Sequence, residues 1–152
     1  MQCGRYRPDF AFEGATGVVI LEVDEDQHAR NELRCELLRM AEVSMGYGGM
    51  PVHWIRYNPD AFKLGDASMG HLWQRKERAA LLQSRLVEAL DAPDYEHFMT
   101  IEYVCYDTPG LPGLTAAELP AKAGVDGEVQ IVRLKDMDAF HAWCGQCGVS
   151  VD

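Results

Sequence analysis

The chain has 152 residues, 47% of them hydrophobic and 25% charged, the make-up of one ordinary globular domain with a core of its own. No apolar run approaches the roughly 18 residues of a membrane span, and the N-terminus lacks a secretory-leader pattern, so no membrane association is expected. A net charge of −10 argues against a simple electrostatic grip on nucleic acid.

The charge is unevenly spread. Residues 1–90 hold 11 Lys/Arg against 13 Asp/Glu, a net of −2, and residues 91–152 hold 3 against 11, a net of −8. Acids in the first part that bound a metal would be neutralised, so that part can face a phosphate backbone; the acidic last third is not expected to. The five cysteines are odd in number and show no framework spacing, which suits a reducing compartment. The expectation is an intracellular setting: cytoplasm, nucleus or virus-associated.

In chain order, Phe10 and Phe12 alternate ahead of a turn at Glu13–Gly17, and a β-branched run follows from Val18 to Asp24. The two pieces read as an antiparallel hairpin. Residues 29–45 read as a helix with Leu33, Leu37, Met40 and Ser44 on one face, stopped by the glycines at 46, 48 and 49. Val52–Tyr57 reads as a strand, and after the Asn58-Pro59-Asp60 turn comes a segment punctuated by Gly65 and Gly70. A long helix is expected from His71 to Leu90, with a core stripe of Leu72, Ala79, Leu82, Leu86 and Leu90. Phe98–Tyr106 and Glu128–Leu134 read as strands, Thr108–Pro120 as a long loop, and Asp136–Trp143 as a short helix capped by Asp136. The mixture gives an α/β class with a mixed sheet, divided into a core at 5–106 and an acidic C-terminal extension at 107–152.

The carboxylates carry the chemistry. Strand residues two apart share a face, so Glu22 and Asp24 lie together, and the hairpin sets Asp9 beside them. Acids at the end of an apolar strand need compensation, and Mg²⁺ or Mn²⁺, which take oxygen ligands, would supply it. Gln27 and His28 follow where the chain leaves the strand, close enough to serve the same site.

Arg7-Pro8-Asp9, followed thirteen residues later by Glu22-Val23-Asp24, resembles the signature of the PD-(D/E)XK nuclease superfamily. The longer string from Glu22 to His28 is similar to a branch related to very short patch repair endonucleases, and the order RPDF…EVDExQH…IRYNPD is similar to proteins of large DNA viruses and algae. The likeness covers roughly residues 5–62 and the strand near Tyr103–Tyr106. It implies a restriction-endonuclease-like mixed β-sheet flanked by helices and a metal-dependent endonuclease acting on DNA, with nicking or structure-directed cleavage expected because no recognition module is evident. It also implies Asp9 and Glu22 as metal ligands with the Val23 carbonyl as a third, His28 as the base, and Arg56 or Arg30 on the phosphate. Asp24 stands where the superfamily usually has the lysine that helps activate water, a departure from the usual mechanism. Only eight residues precede Asp9, so an N-terminal extension or a partner chain, a second copy included, is expected to complete the sheet edge.

Each feature has a plainer reading. The acids can mark a strand leaving the core, Glu25 and Asp26 can cap the next helix, and Arg56 can bridge Asp24 or Asp60. The rival to the enzyme is an inactive relative serving as a binding or assembly module. Cys144 and Cys147 form a CxxC at the chain end, in the wrong context for a redox motif. A zinc site there would have to draw on Cys3 and His141, while Cys35 and Cys105 read as buried packing residues. The remaining histidines read as surface or packing residues.

Overall fold

The computed structural model describes residue 3 and residues 7–28, 32–69, 75–119 and 127–151. Strand β1 (Phe10–Glu13) pairs antiparallel with β2 (Val18–Val23), as the hairpin pattern predicts. Helix α1 (Leu33–Met45) leads to β3 (Val52–Tyr57), which lies parallel to β2. A small hairpin of β4 (Phe62–Leu64) and β5 (Ala67–Met69), turning at Gly65 with φ 60°, occupies the glycine-punctuated segment. Helix α2 (Arg75–Asp91) leads to β6 (Met99–Val104), parallel to β3. A two-residue β7 (Thr115–Ala116) lies inside the expected loop and pairs with β8 (Val129–Leu134), which is antiparallel to β6. Helix α3 (Met137–Gln146) closes the chain, its first turn capped by Asp136 accepting from the Ala139 N–H at 2.8 Å.

The result is a six-stranded mixed sheet in the order β1-β2-β3-β6-β8-β7, with three helices against it. Residues 107–152, read from the sequence as an extension, supply two strands and α3 to the same sheet and core. Helices α1 and α3 cover one face, where Leu37, Met40, Phe140 and Trp143 meet Ile20, Trp54 and Ile101. On the other face, Leu81 and Ala89 of α2 meet Val19, Leu21 and Ile55. The chain advances the same way from β2 to β3 to β6, yet its two crossover helices lie on opposite faces. The two connections therefore have opposite hands, and one is the uncommon left-handed kind. Among the described residues no helix is long and apolar enough to cross a membrane.

Two expectations need correcting. The buried stripe of α2 is Arg78, Leu81, Arg85 and Ala89, whereas Leu90 is 45% exposed and Ala79 is also exposed; Leu72 and His71 fall outside the described residues. Two arginines displace leucines because each has a buried partner. Arg78 lies 4.8 Å over the Phe62 ring and donates to the Asp60 carbonyl at 2.6 Å, while Arg85 donates to Glu102 at 2.5 Å. Cys35 is not a free packing residue either: it is disulfide-bonded to Cys3. That bond takes Cys3 out of any zinc site with the CxxC, and it is not the state a reducing compartment favours.

Glu102 is fully buried between Arg85 and His53, whose ring also bonds to it. Burial works to raise its pKa, but the His53 and Arg85 contacts outweigh burial and hold it below the usual 4.5. A depressed carboxylate contributes stability that is present above its unfolded pKa and lost as pH falls through the folded value. In urea titrations the wild type should therefore lose stability below pH 4.5 more steeply than Glu102→Gln. Arg85→Met, which leaves the buried Glu102 charge to His53 alone, should cost about 3 kcal/mol at neutral pH.

Candidate functional site

One row of side chains crosses the sheet just beyond its apolar rows. Ladder partners place Glu22 beside Arg56, Arg56 beside Tyr103, and Tyr103 beside Gln130. These residues point to the face covered by α1 and α3, at the C-terminal ends of the parallel strands. Ligands bind at that end of open parallel sheets.

Arg56 is 4% exposed and organises the middle of the row. Its Nε donates to Asp24 Oδ2 at 2.7 Å, its Nη2 bonds to Glu36 of α1, and its Nη1 faces Met40 Sδ at 3.8 Å. Burial opposes its charge, but Asp24, through its charge and hydrogen bond, together with Tyr106 and Tyr103 outweighs burial and holds the guanidinium proton more tightly than usual. Asp24 is fully buried and also accepts from the Tyr106 hydroxyl. Its other oxygen takes no hydrogen bond among the described residues, although His28 Nε2 lies 3.2 Å away. Burial drives the Tyr106 and Tyr103 hydroxyls far above the ordinary phenol range; the Asp24 charge adds to this, against the pull of Arg56. The Tyr103 hydroxyl is buried without a hydrogen-bond partner among the described residues.

His28 enters from a strained turn. Asp26, Gln27 and His28 have φ of 50°, 56° and 51°, a left-handed path that costs L-residues other than glycine roughly 1–2 kcal/mol each. The Asp26 N–H donates to Asp60 at 2.7 Å, and the Gln27 amide exchanges two bonds with Asp107, at 3.1 and 2.8 Å. Glu25 and Asp26 therefore cap no helix; α1 begins at Leu33 without a side-chain cap. The turn sets His28 Nδ1 at 3.3 Å from Arg56 Nη2. Glu36 Oε1 lies 3.4 Å from the same nitrogen, so the ring stands between the Asp24 and Glu36 carboxylates.

The hairpin brings Asp9 and Glu22 together. The Asp9 N–H donates to Glu22 Oε1 at 3.0 Å, and the Val23 N–H donates to Asp9 Oδ2 at 2.9 Å. Asp9 is exposed and Glu22 buried. Asp24, held by Arg56 and Tyr106, stays out of this pair. Arg30 lies outside the described residues, and Arg56 bridges Asp24 and Glu36 rather than facing solvent. Among the described residues no group of three or more His, Cys, Asp or Glu side chains is placed to hold a metal ion. Two carboxylates still suit Mg²⁺ or Mn²⁺, since Mg²⁺ commonly takes one or two and fills its shell with water and phosphate oxygens.

Sequence reasoning missed Glu36, Tyr103 and Tyr106. Glu36 sits inside the Leu33–Leu37–Met40 stripe, and an acid in an apolar stripe is the signal that marks it. A pocket of about 360 Å³ opens beside the row, lined by His28, Glu36, Arg56, Tyr103, Tyr106 and Gln130 among others. The chain matches no family model, no curated protein and no solved structure.

Two outcomes check this arrangement. Arg56→Leu leaves Asp24 buried without its cation, takes one of two arginines from Glu36, and should destabilise the fold by about 3–5 kcal/mol in urea. In an alkaline spectrophotometric titration of the six tyrosines, Tyr103 and Tyr106 should ionise only as the chain unfolds. Phe at both positions should remove that late step.

Proposed function

We propose that the chain is a divalent-cation-dependent endonuclease of the PD-(D/E)XK type, with a restriction-endonuclease-like core, hydrolysing phosphodiester bonds in DNA by nicking or structure-directed cleavage. The observation that carries this reading is the pair of bonds that joins Asp9 to β2, its N–H donating to Glu22 and its carboxylate accepting from the Val23 N–H. It sets two carboxylates and the Val23 peptide at one strand edge, at the end of a row of buried polar groups. Such a cluster is costly and contributes little to folding, and strained backbone beside it is a mark of functional sites.

Asp9 and Glu22, with the Val23 carbonyl beside them, would hold Mg²⁺ or Mn²⁺. When bound, such an ion makes a water more acidic and offsets phosphate charge. His28, held between the Asp24 and Glu36 carboxylates beside Arg56, is the imidazole that would accept a proton from the attacking water. Arg56 fixes Asp24, Glu36 and His28 in place. Gln27, tied to Asp107, holds the strained turn at the pocket rim.

A second reading, a binding module without catalysis, draws on one observation. Asp24 occupies the position of the superfamily's lysine and is committed to Arg56 and Tyr106, leaving no amine to help activate water.

Labelled single-stranded, duplex, mismatched and branched DNAs separate the two. The hydrolase should cut at least one form with Mg²⁺ or Mn²⁺, be silenced by EDTA, and lose about 100-fold or more in Glu22→Gln with its melting temperature retained. No cleavage of any form, together with no calorimetric binding of Mn²⁺, would leave the binding module.

A further inference from the structure

The pocket beside the row has chemistry of its own. One wall is apolar, formed by Leu33, Leu111, Leu114 and Pro109. The other carries the Tyr103 and Tyr106 rings, packed edge to face with centroids 5.1 Å apart, and the amide of Gln130. The Tyr103 hydroxyl, on this wall, is buried and unpartnered among the described residues. Gln130 donates to the Asp107 carbonyl at 3.3 Å, and the loop crosses it at Gly110, where an added Cβ would lie 2.9 Å from Gln130 Oε1. The lining thus offers flat apolar and aromatic surface for the faces of a ring and a few polar atoms for its edge. Its volume of about 360 Å³ lies in the ~300–1,000 Å³ range of small-ligand pockets.

The register links this pocket to the carboxylate pair. Glu22, Arg56, Tyr103 and Gln130 succeed one another on adjacent strands, about 4.8 Å apart per strand. Glu22 is therefore about 10 Å from Tyr103 along the row, a separation that one nucleotide bridges with its phosphate at Glu22 and its base among the tyrosines. A base still stacked in a duplex cannot reach such a recess, and enzymes that read single bases this way take them out of the stack.

We infer that this pocket receives one unstacked nucleobase of the DNA, so that the protein selects strands carrying an unpaired or extruded nucleotide. The inference rests on the proposed function for placing the phosphate, but base capture is separable from hydrolysis. The lining groups do not require a cation.

Binding measured in EDTA by fluorescence anisotropy tests it without cleavage. A duplex with one unpaired nucleotide should bind about tenfold tighter than the same duplex with an abasic site at that position, the scale of one stacked base. Leu114→Trp, which fills the pocket, should abolish the difference, and Tyr103→Phe, which removes only the hydroxyl, should reduce it. Equal affinity of the wild type for the two duplexes overturns the inference, as does a preference that survives Leu114→Trp. Cleavage without base preference would sink base capture alone, whereas base preference without cleavage would sink the hydrolase alone.

Discussion

The Arg56 guanidinium is the contact on which the rest of the site depends. It stands near the end of a central strand, in a layer where the rows below are apolar, and it is neutralised from two directions. Asp24 comes from the end of the neighbouring strand and Glu36 from the helix overhead. Remove the cation, and Asp24 loses its charge partner while Glu36 loses one of its two arginines. With it in place, Asp24 can accept from Tyr106 and His28 is oriented through Nδ1. The charge is thus a strut, which explains why an arginine so well placed for a phosphate faces inward.

The same logic appears inverted on the other side of the sheet. There an acid of the sheet, Glu102, meets a base from the helix, Arg85. Because the two crossover helices lie on opposite faces, each delivers one charged partner to a buried position near the sheet centre. Buried pairs of this kind give little net stability but strongly disfavour misplacement of either partner.

Much of this was legible in the sequence. The hairpin, the strand from Val52 to Tyr57, the strand around Met99–Val104 and the Asp136 cap all follow from periodicity and local chemistry. So does the meeting of Asp9 with Glu22, once the two pieces are read as a hairpin. What was not legible depends on long-range register. Nothing in the spacing of Arg56, Tyr103 and Gln130 announces that they stand side by side with Glu22, because strand alignment is set by packing of the whole sheet. The arginine stripe of α2 was misread for a similar reason: leucines at neighbouring positions look like the better core until Glu102 requires a partner. The left-handed turn at Asp26–His28 contains no glycine, and only its anchors, Asp60 and Asp107, account for it. The bond between Cys3 and Cys35 joins residues 32 positions apart, a spacing without any framework signature.

Two roles adjoin in space: a strut centred on Arg56 and the cation site proposed for Asp9 and Glu22. The most direct test is a crystal soaked in Mn²⁺ and measured for anomalous scattering. A peak between the Asp9 and Glu22 carboxylates, with Arg56 still bound to Asp24, is the predicted result. A peak at Asp24 with Arg56 displaced, or no peak beside Asp9 at any soak concentration, would contradict it.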